Sequence, residues 1–184
     1  MSTLRFNTWQ DAGGTEVANS TLGTGKILQV VSTTKTDTFT ASITAGGEAA
    51  ITGLSATITP SSTTSKILVF VNVHGAETSG NNARLQVRLY RGATEIGSGA
   101  TAGNRITAFS ANVGNTDAFV HHITALGNHY LDSPATTSAT TYSLYVVNAR
   151  NSTIGYCVNR PSDDSDSGNT NRTSSTITLV EVAA

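Results

Sequence analysis

Only one stretch of this sequence brings carboxylates together at spacings that could bind a cation. The stretch is DDSDSGNTN, at 163–171, in which Gly168 matches the turn glycine of a calcium-binding loop. Ser165 and Ser167 occupy the intermediate ligand positions, and Ser174 stands where such a loop requires a bidentate acid. A solvated loop is therefore a better prediction than a metal site. Its candidate recognition groups are Asp163, Asp164, Asp166, Asn169 and Asn171.

Three histidines, His121, His122 and His129, lie in the segment VHHITALGNHY. Successive side chains on a strand point to opposite faces, so His121 and His122 cannot bind one metal within a single chain. One histidine from each of three chains could hold zinc or iron on a threefold axis. Packed or solvent-facing histidines are the favoured interpretation, and the sequence predicts neither a metal nor another cofactor.

Signatures of catalysis are missing from the sequence. It contains no G-x-S-x-G motif and no glycine-rich phosphate loop before a helix. Its glutamates stand singly, whereas a glycosidase requires a pair of carboxylates. Cys157 lies in the apolar string IGYCV, which is typical of a small buried hydrophobic residue. We therefore expect a protein that is not an enzyme. Four tyrosines could line a sugar-binding face, although the core of a sandwich is the favoured place for them: Tyr130, Tyr142, Tyr145 and Tyr156.

The elements that must position these residues are strands, because apolar and polar residues alternate with period two. Leu54, Ala56 and Ile58 form one apolar face, and Pro60 is predicted to end that strand. SKILVFV, at 65–71, is apolar on both faces, as in a central strand that is covered on each side. Turn residues separate the strands, which predicts an all-β fold, an antiparallel β-sandwich or jelly roll. Further predicted strands are 26–33, 37–43, 84–91, 117–126, 141–149, 153–159 and 175–182, with a weaker one in 105–113.

The composition excludes several classes of function. Only 12% of the 184 residues are charged, about half the usual ~25%. The net charge is −1 and the arginines are scattered, which argues against nucleic-acid binding. A single cysteine allows no internal disulfide, the opening residues lack the pattern of a secretory signal, and no apolar run approaches the ~18 residues of a membrane span.

The first 25 residues differ from the rest, because they are interrupted by glycine and lack sustained alternation. We expect an extended N-terminal arm at 1–25 and a β-sandwich domain at 26–184. Leu4, Phe6 and Trp9 alternate within the arm, and an exposed apolar alternation usually docks on another surface. That surface is either another protein or the chain's own domain.

Several strand-and-turn strings resemble a family of structural proteins of tailed phages, especially marine ones. The opening MSTLRFNTWQDAGGTEV is also similar to the N-terminal segment of such fibre proteins. The resemblance implies a trimeric β-sandwich on the virion, assembled in the host cytoplasm, and assigns no functional residues. The strings that carry it are GKILQVVSTTKTDTFTASI, ITGLSATITPSSTTSKILV, RLYRGATEIG and YLDSPATTSATTYSLYV.

The resemblance favours a tail-fibre-type homotrimer that serves host attachment. Leu4, Phe6 and Trp9 would attach the arm to other virion proteins, and the 163–171 loop would contact a glycan or protein of the host surface. One alternative is a capsid decoration protein or head fibre that stabilises the shell. A second alternative is a carbohydrate-binding module.

Overall fold

A computed structural model describes residues 25–78, 84–113 and 120–184. Leu4, Phe6 and Trp9 of the predicted arm lie outside the described residues. Within those ranges the chain forms eleven strands and no α-helix, and therefore no helix that could cross a membrane. The strands are Ile27–Lys35 (β1), Phe39–Ile43 (β2), Glu48–Ile58 (β3), Lys66–Glu77 (β4), Arg84–Arg91 (β5), Thr94–Ile96 (β6), Ser110–Val113 (β7), Thr124–Asp132 (β8), Thr140–Val147 (β9), Ile154–Val158 (β10) and Ser175–Val182 (β11).

The strands pair as nested antiparallel partners. β1 pairs with β11, β2 with β10, β3 with β9 and β4 with β8, while β5 pairs with both β6 and β7. One sheet has the order β1-β11-β4-β10-β2 with β8 beside β4, and the other has the order β3-β9-β5-β6 with β7 beside β5. A chain folded back on itself and rolled into two sheets in this way is a jelly roll, so the predicted fold class is confirmed.

The hydrophobic core lies between the two sheets and follows the period-two alternation. Ile67, Val69 and Val73 of β4 are fully buried, as are Leu54 and Ile58 of β3. The alternation predicted at 54–58 is therefore confirmed. β3 ends before Pro60, as expected for a residue that has no N–H to donate.

The observed position of strand β8 differs from the position predicted from the sequence. A strand was predicted at 117–126 with a turn at 127–128, but β8 runs from Thr124 to Asp132 through that Gly-Asn pair. Nine residues of β8 pair with β4, and Asn128 Nδ2 also donates to the carbonyl oxygen of Phe109 at 2.6 Å. Long-range pairing thus overrides the local turn preference of Gly127 and Asn128.

Asn159 fixes the corner between β1 and β2 to the end of β10. Its φ is 64°, in the left-handed region that Asn tolerates better than most residues. The fully buried amide donates to the carbonyl oxygens of Lys35 and Asp37, both at 2.8 Å, and its Oδ1 accepts from Ser175 Oγ at 2.6 Å. One side chain therefore joins three separate segments of the chain.

Asn148 fixes the corner between β2 and β3 through similar side-chain hydrogen bonds. Its Nδ2 lies 2.8 Å from the carbonyl oxygen of Ile43, 3.0 Å from that of Thr44 and 2.8 Å from that of Ser152. Its Oδ1 accepts a hydrogen bond from the backbone N–H of Arg150 at 2.9 Å. Asn148 is fully buried, so these contacts replace the water that its amide would otherwise bind.

The serine-rich corner between β3 and β4 encloses a buried carboxylate, Glu181 of β11. Ser61 donates to Glu181 Oε1 from its backbone N–H at 2.7 Å and from its Oγ at 2.6 Å, and Gln29 Nε2 donates to Oε2. Burial by itself would raise the pKa of Glu181, but hydrogen bonds from Ser61, Gln29 and Ser65 outweigh it and lower the pKa to about 2. This corner therefore stabilises an ionised glutamate inside the protein.

Replacing Asn159 with Asp should destabilise the fold by roughly 2 kcal/mol or more, because a buried carboxylate would face two carbonyl oxygens without a donor. Asp also tolerates a positive φ, so the change isolates the amide. Urea unfolding followed by circular dichroism would measure the loss. Asn171→Asp, at an exposed position, is the control and should stay within about 0.5 kcal/mol of wild type. Equal stability of the two variants would contradict the proposed role of Asn159.

Glu181→Gln should lower the free energy of unfolding at neutral pH by roughly 1–3 kcal/mol, because one oxygen that accepts hydrogen bonds is lost. The pKa of Glu181 falls from 4.5 to about 2 on folding, so its contribution is present above pH 4.5 and is lost as the pH falls towards 2. Unfolding midpoints in urea across this range should decline less steeply in the variant than in wild type. Asp166→Asn, which removes an exposed carboxylate, is the control. Parallel pH curves for wild type and Glu181→Gln would be the contrary result.

Candidate interaction surfaces

Asp163 of the predicted recognition loop contributes to the structure of the loop. Its backbone N–H donates to the carbonyl oxygen of Val120 at 2.8 Å, and its carboxylate accepts from the N–H and Oγ of Ser165 at 2.9 and 3.0 Å. The backbone hydrogen bond from Ser165 is the main cause that lowers the pKa of Asp163. His121 Nδ1 lies 3.6 Å from the same carboxylate.

The outer part of the loop is exposed but internally bonded. Asp164 forms an ion pair with Arg172 and lies 3.7 Å from Nε of Arg160. Thr170 Oγ1 donates to the carbonyl oxygen of Ser165 at 2.7 Å. Four of the five predicted recognition residues are exposed: Asp164, Asp166, Asn169 and Asn171. Their role in recognition stays a prediction.

The histidines and the acidic residues do not converge on one site. His121 contacts the loop, whereas His129 lies on the outer face of β8 with its ring centroid 6.3 Å from that of Phe70. Across the described ranges, no group of three or more His, Cys, Asp or Glu side chains is arranged to hold a metal ion. Cys157 is fully buried, and this burial raises the pKa of its thiol.

The tyrosines divide between the core and the outside of the second sheet. Tyr142 and Tyr156 are buried, as the favoured interpretation predicted. Tyr145 instead lies on the outer face of β9, with its ring centroid 4.5 Å from that of Tyr90 of β5. Tyr90 donates to Glu48 Oε1 at 2.6 Å, and burial together with this bond raises the pKa of Tyr90 to about 12.

Arg88 completes this polar surface beside Tyr90. It lies 2.9 Å from Glu48 and 3.3 Å from Glu95, so two carboxylates hold its guanidinium. Sequence reasoning did not single out Arg88 or Tyr90 as a pair. The available signal was the alternation in RLQVRLYR, which places both side chains on one face of β5.

The other sheet has an outer surface of a different kind, which we call the apolar face. It consists of large apolar side chains on four adjacent strands. Four of them are strongly exposed: Ile27 (61%), Val30 (57%), Leu131 (54%) and Phe70 (45%). Leu68, Val180 and Val182 lie among them and complete the face.

The register of the strands makes this face continuous. Val30 lies opposite Val180, Val180 opposite Leu68, and Leu68 opposite Leu131, so four apolar residues form one row across the sheet. Opposite side chains in antiparallel strands lie roughly 4.5–5.5 Å apart at Cβ. Among the described residues, other side chains pack against the inner face of β4 only. The sequence predicted that both faces of this strand would be covered.

Neither a protein-family model nor a curated protein matches this chain. Among solved structures it is similar to the structure of infectious bursal disease virus Gx strain, with a TM-score of 0.39 and 16% sequence identity. The alignment covers 88% of this chain and 37% of the viral chain. The chain therefore spans well under half the length of that neighbour.

Asp164→Asn should loosen the recognition loop without unfolding the protein, because it removes the shared partner of Arg160 and Arg172. An exposed ion pair contributes up to about 1 kcal/mol, so amide hydrogen exchange at Thr170 should accelerate by a few-fold. High salt should produce a similar acceleration in wild type. Asp166→Asn is the control, and the same acceleration in both variants would contradict a specific role for Asp164.

Proposed function

We propose that this chain is a structural component of a virus particle, a tail-fibre-type protein displayed as a homotrimer for host attachment. Jelly rolls form viral capsid domains and lectin domains, so the fold is compatible with both assembly and surface recognition. The resemblance of four strand-and-turn strings to tailed-phage structural proteins supports the virion role. The proposed location is the virion.

The observation that carries the proposal is the apolar face. A soluble monomer rarely exposes a contiguous apolar patch larger than a few hundred Å², and larger patches mark sites of association. Here a row of apolar residues crosses four strands of one sheet. A protein with this surface is suited to assembly with other chains.

The remaining surfaces then have separate roles in the proposal. The N-terminal arm would bind other virion proteins through Leu4, Phe6 and Trp9. The loop that carries Asp164 and Asp166 would face the medium and contact a glycan or protein of the host. No enzymatic step is proposed.

A capsid decoration or head-fibre role is the second candidate, favoured by the breadth of the apolar face, which could cover a neighbouring shell protein. The Tyr90–Tyr145 pair supports the carbohydrate-binding alternative, because aromatic rings often provide apolar contact area in ligand sites.

The copy number per particle, measured by quantitative mass spectrometry of purified virions, distinguishes the first two roles. A small number of copies at the tail is expected for a fibre, and many copies distributed over the shell would establish decoration instead. Absence of the chain from the particle would overturn the virion proposal.

Removing residues 1–25 should leave a folded oligomer that no longer joins the particle, because the arm is the proposed attachment segment. Incorporation is measured by comparing truncated and full-length chains in purified particles. Leu4→Ser/Phe6→Ser/Trp9→Ser in the full chain is the matched variant, and it should fail in the same way. Normal incorporation of the truncated chain would show that the arm is not the anchor.

A further inference from the structure

We propose that the apolar face is the surface through which copies of this chain meet, each copy packing this face against the same face of its neighbours around a closed symmetry axis. The inference rests on the self-association that forms part of the proposed function, and it names the contact surface. It requires no further virion protein.

The composition of the surface matches the anatomy of a protein interface. Its centre is the row Val30–Val180–Leu68–Leu131, and polar groups lie beside it. Ser32 Oγ and Thr178 Oγ1 are 2.8 Å apart on one side, and Lys66 Nζ donates to Ser133 Oγ on the other. Interfaces between proteins likewise have a core depleted of charge and a polar rim.

The charge on this face favours a second copy as the partner. The nearby carboxylates Glu181 and Asp132 are buried and face the interior of the sandwich. Lys66 is the charged side chain beside the row, and it lies at the rim. Two copies can therefore bring their faces together without opposing like charges at the centre, where such charges would cost most.

The position of the face at the edge of a sheet supports the same partner. Among the described residues β1 pairs with β11 alone, so no described strand lies beside its other edge. This strand has no proline, and its one charged residue is Lys35 at the end. Such edges invite open-ended pairing unless they are covered. A closed assembly around one axis would bury the apolar row and restrict access to the neighbouring edge of β1, whereas an open assembly would continue indefinitely.

The apolar face would form the centre of a larger interface. A stable interface takes about 800 Å² from each partner. Four large side chains that are each about half exposed supply the apolar centre. The hydroxyl groups of β1 and β11 and the stem of Lys66 extend it towards the rim.

The test compares Val30→Glu and Leu131→Glu with Ile106→Glu in the full-length chain. Ile106 is a matched control, because it is a large apolar residue with 40% exposure outside the face. Sedimentation velocity over a range of protein concentrations measures the assembly. Wild type and Ile106→Glu should form the same closed oligomer, and the two face variants should dissociate with at least a tenfold higher dissociation constant.

The face variants should remain folded, because both side chains are more than half exposed in the single chain. Circular dichroism and a cooperative thermal transition check this, and the conservative variant Leu131→Met should keep the oligomer. A monomeric wild type, or face variants that retain the wild-type mass, would overturn the inference. Loss of the oligomer on removal of residues 1–25, with Leu131→Glu still assembled, would also overturn it.

The outcomes separate this inference from the virion proposal. An oligomer that depends on the face but is absent from virus particles would overturn the virion role alone. A chain that is present in particles and assembles through another surface would overturn only the proposal that the apolar face is the interface.

Discussion

The saturation of β4 on both of its edges is the constraint on which the rest of the fold depends. One edge pairs with β8, and the other pairs first with β11 and then with β10. Every backbone N–H and C=O of a buried strand needs a partner, and β4 finds its partners in three strands that lie far along the chain. The β4–β8 pair is the innermost of the nested pairs. The two faces of β4 have different surroundings, the core on one side and the apolar face on the other.

The corners of the roll are stabilised by buried polar groups rather than by their local turn sequences alone. Asn148 and Asn159 each bond to the corners that flank β2, and Glu181 bonds to the corner after β3. A buried amide or carboxylate is costly when its partners are missing, so each one favours a single arrangement of the corner it bonds. The jelly roll thus combines a non-directional hydrophobic core with a few directional contacts that define where the chain turns.

The sequence could predict features that depend on local periodicity. Ala56 and Val69 lie in strands with clear alternation, and both proved to be buried core residues. It could not predict the roles of Asn159 and Glu181, because the corners they bond, at Lys35 and Ser61, lie more than a hundred residues away. The apolar face could be predicted only in part, for the same reason. SKILVFV showed that β4 has a second apolar face, but the alignment of Leu131 with it follows from the register between strands.

The scarcity of charge is consistent with the proposed assembly through the apolar face. The described ion pairs hold Arg88, Arg91, Arg150 and Arg160 against carboxylates of the same chain, which leaves little electrostatic field to steer a partner. Contacts between such surfaces must then come from shape, hydroxyl groups and apolar area. Apolar contact is less sensitive to salt than ion pairing, because the Debye length governs only the charges. A surface poor in charge and a sheet face that the described residues leave uncovered therefore agree with the proposed assembly, whose contacts would depend little on ionic strength.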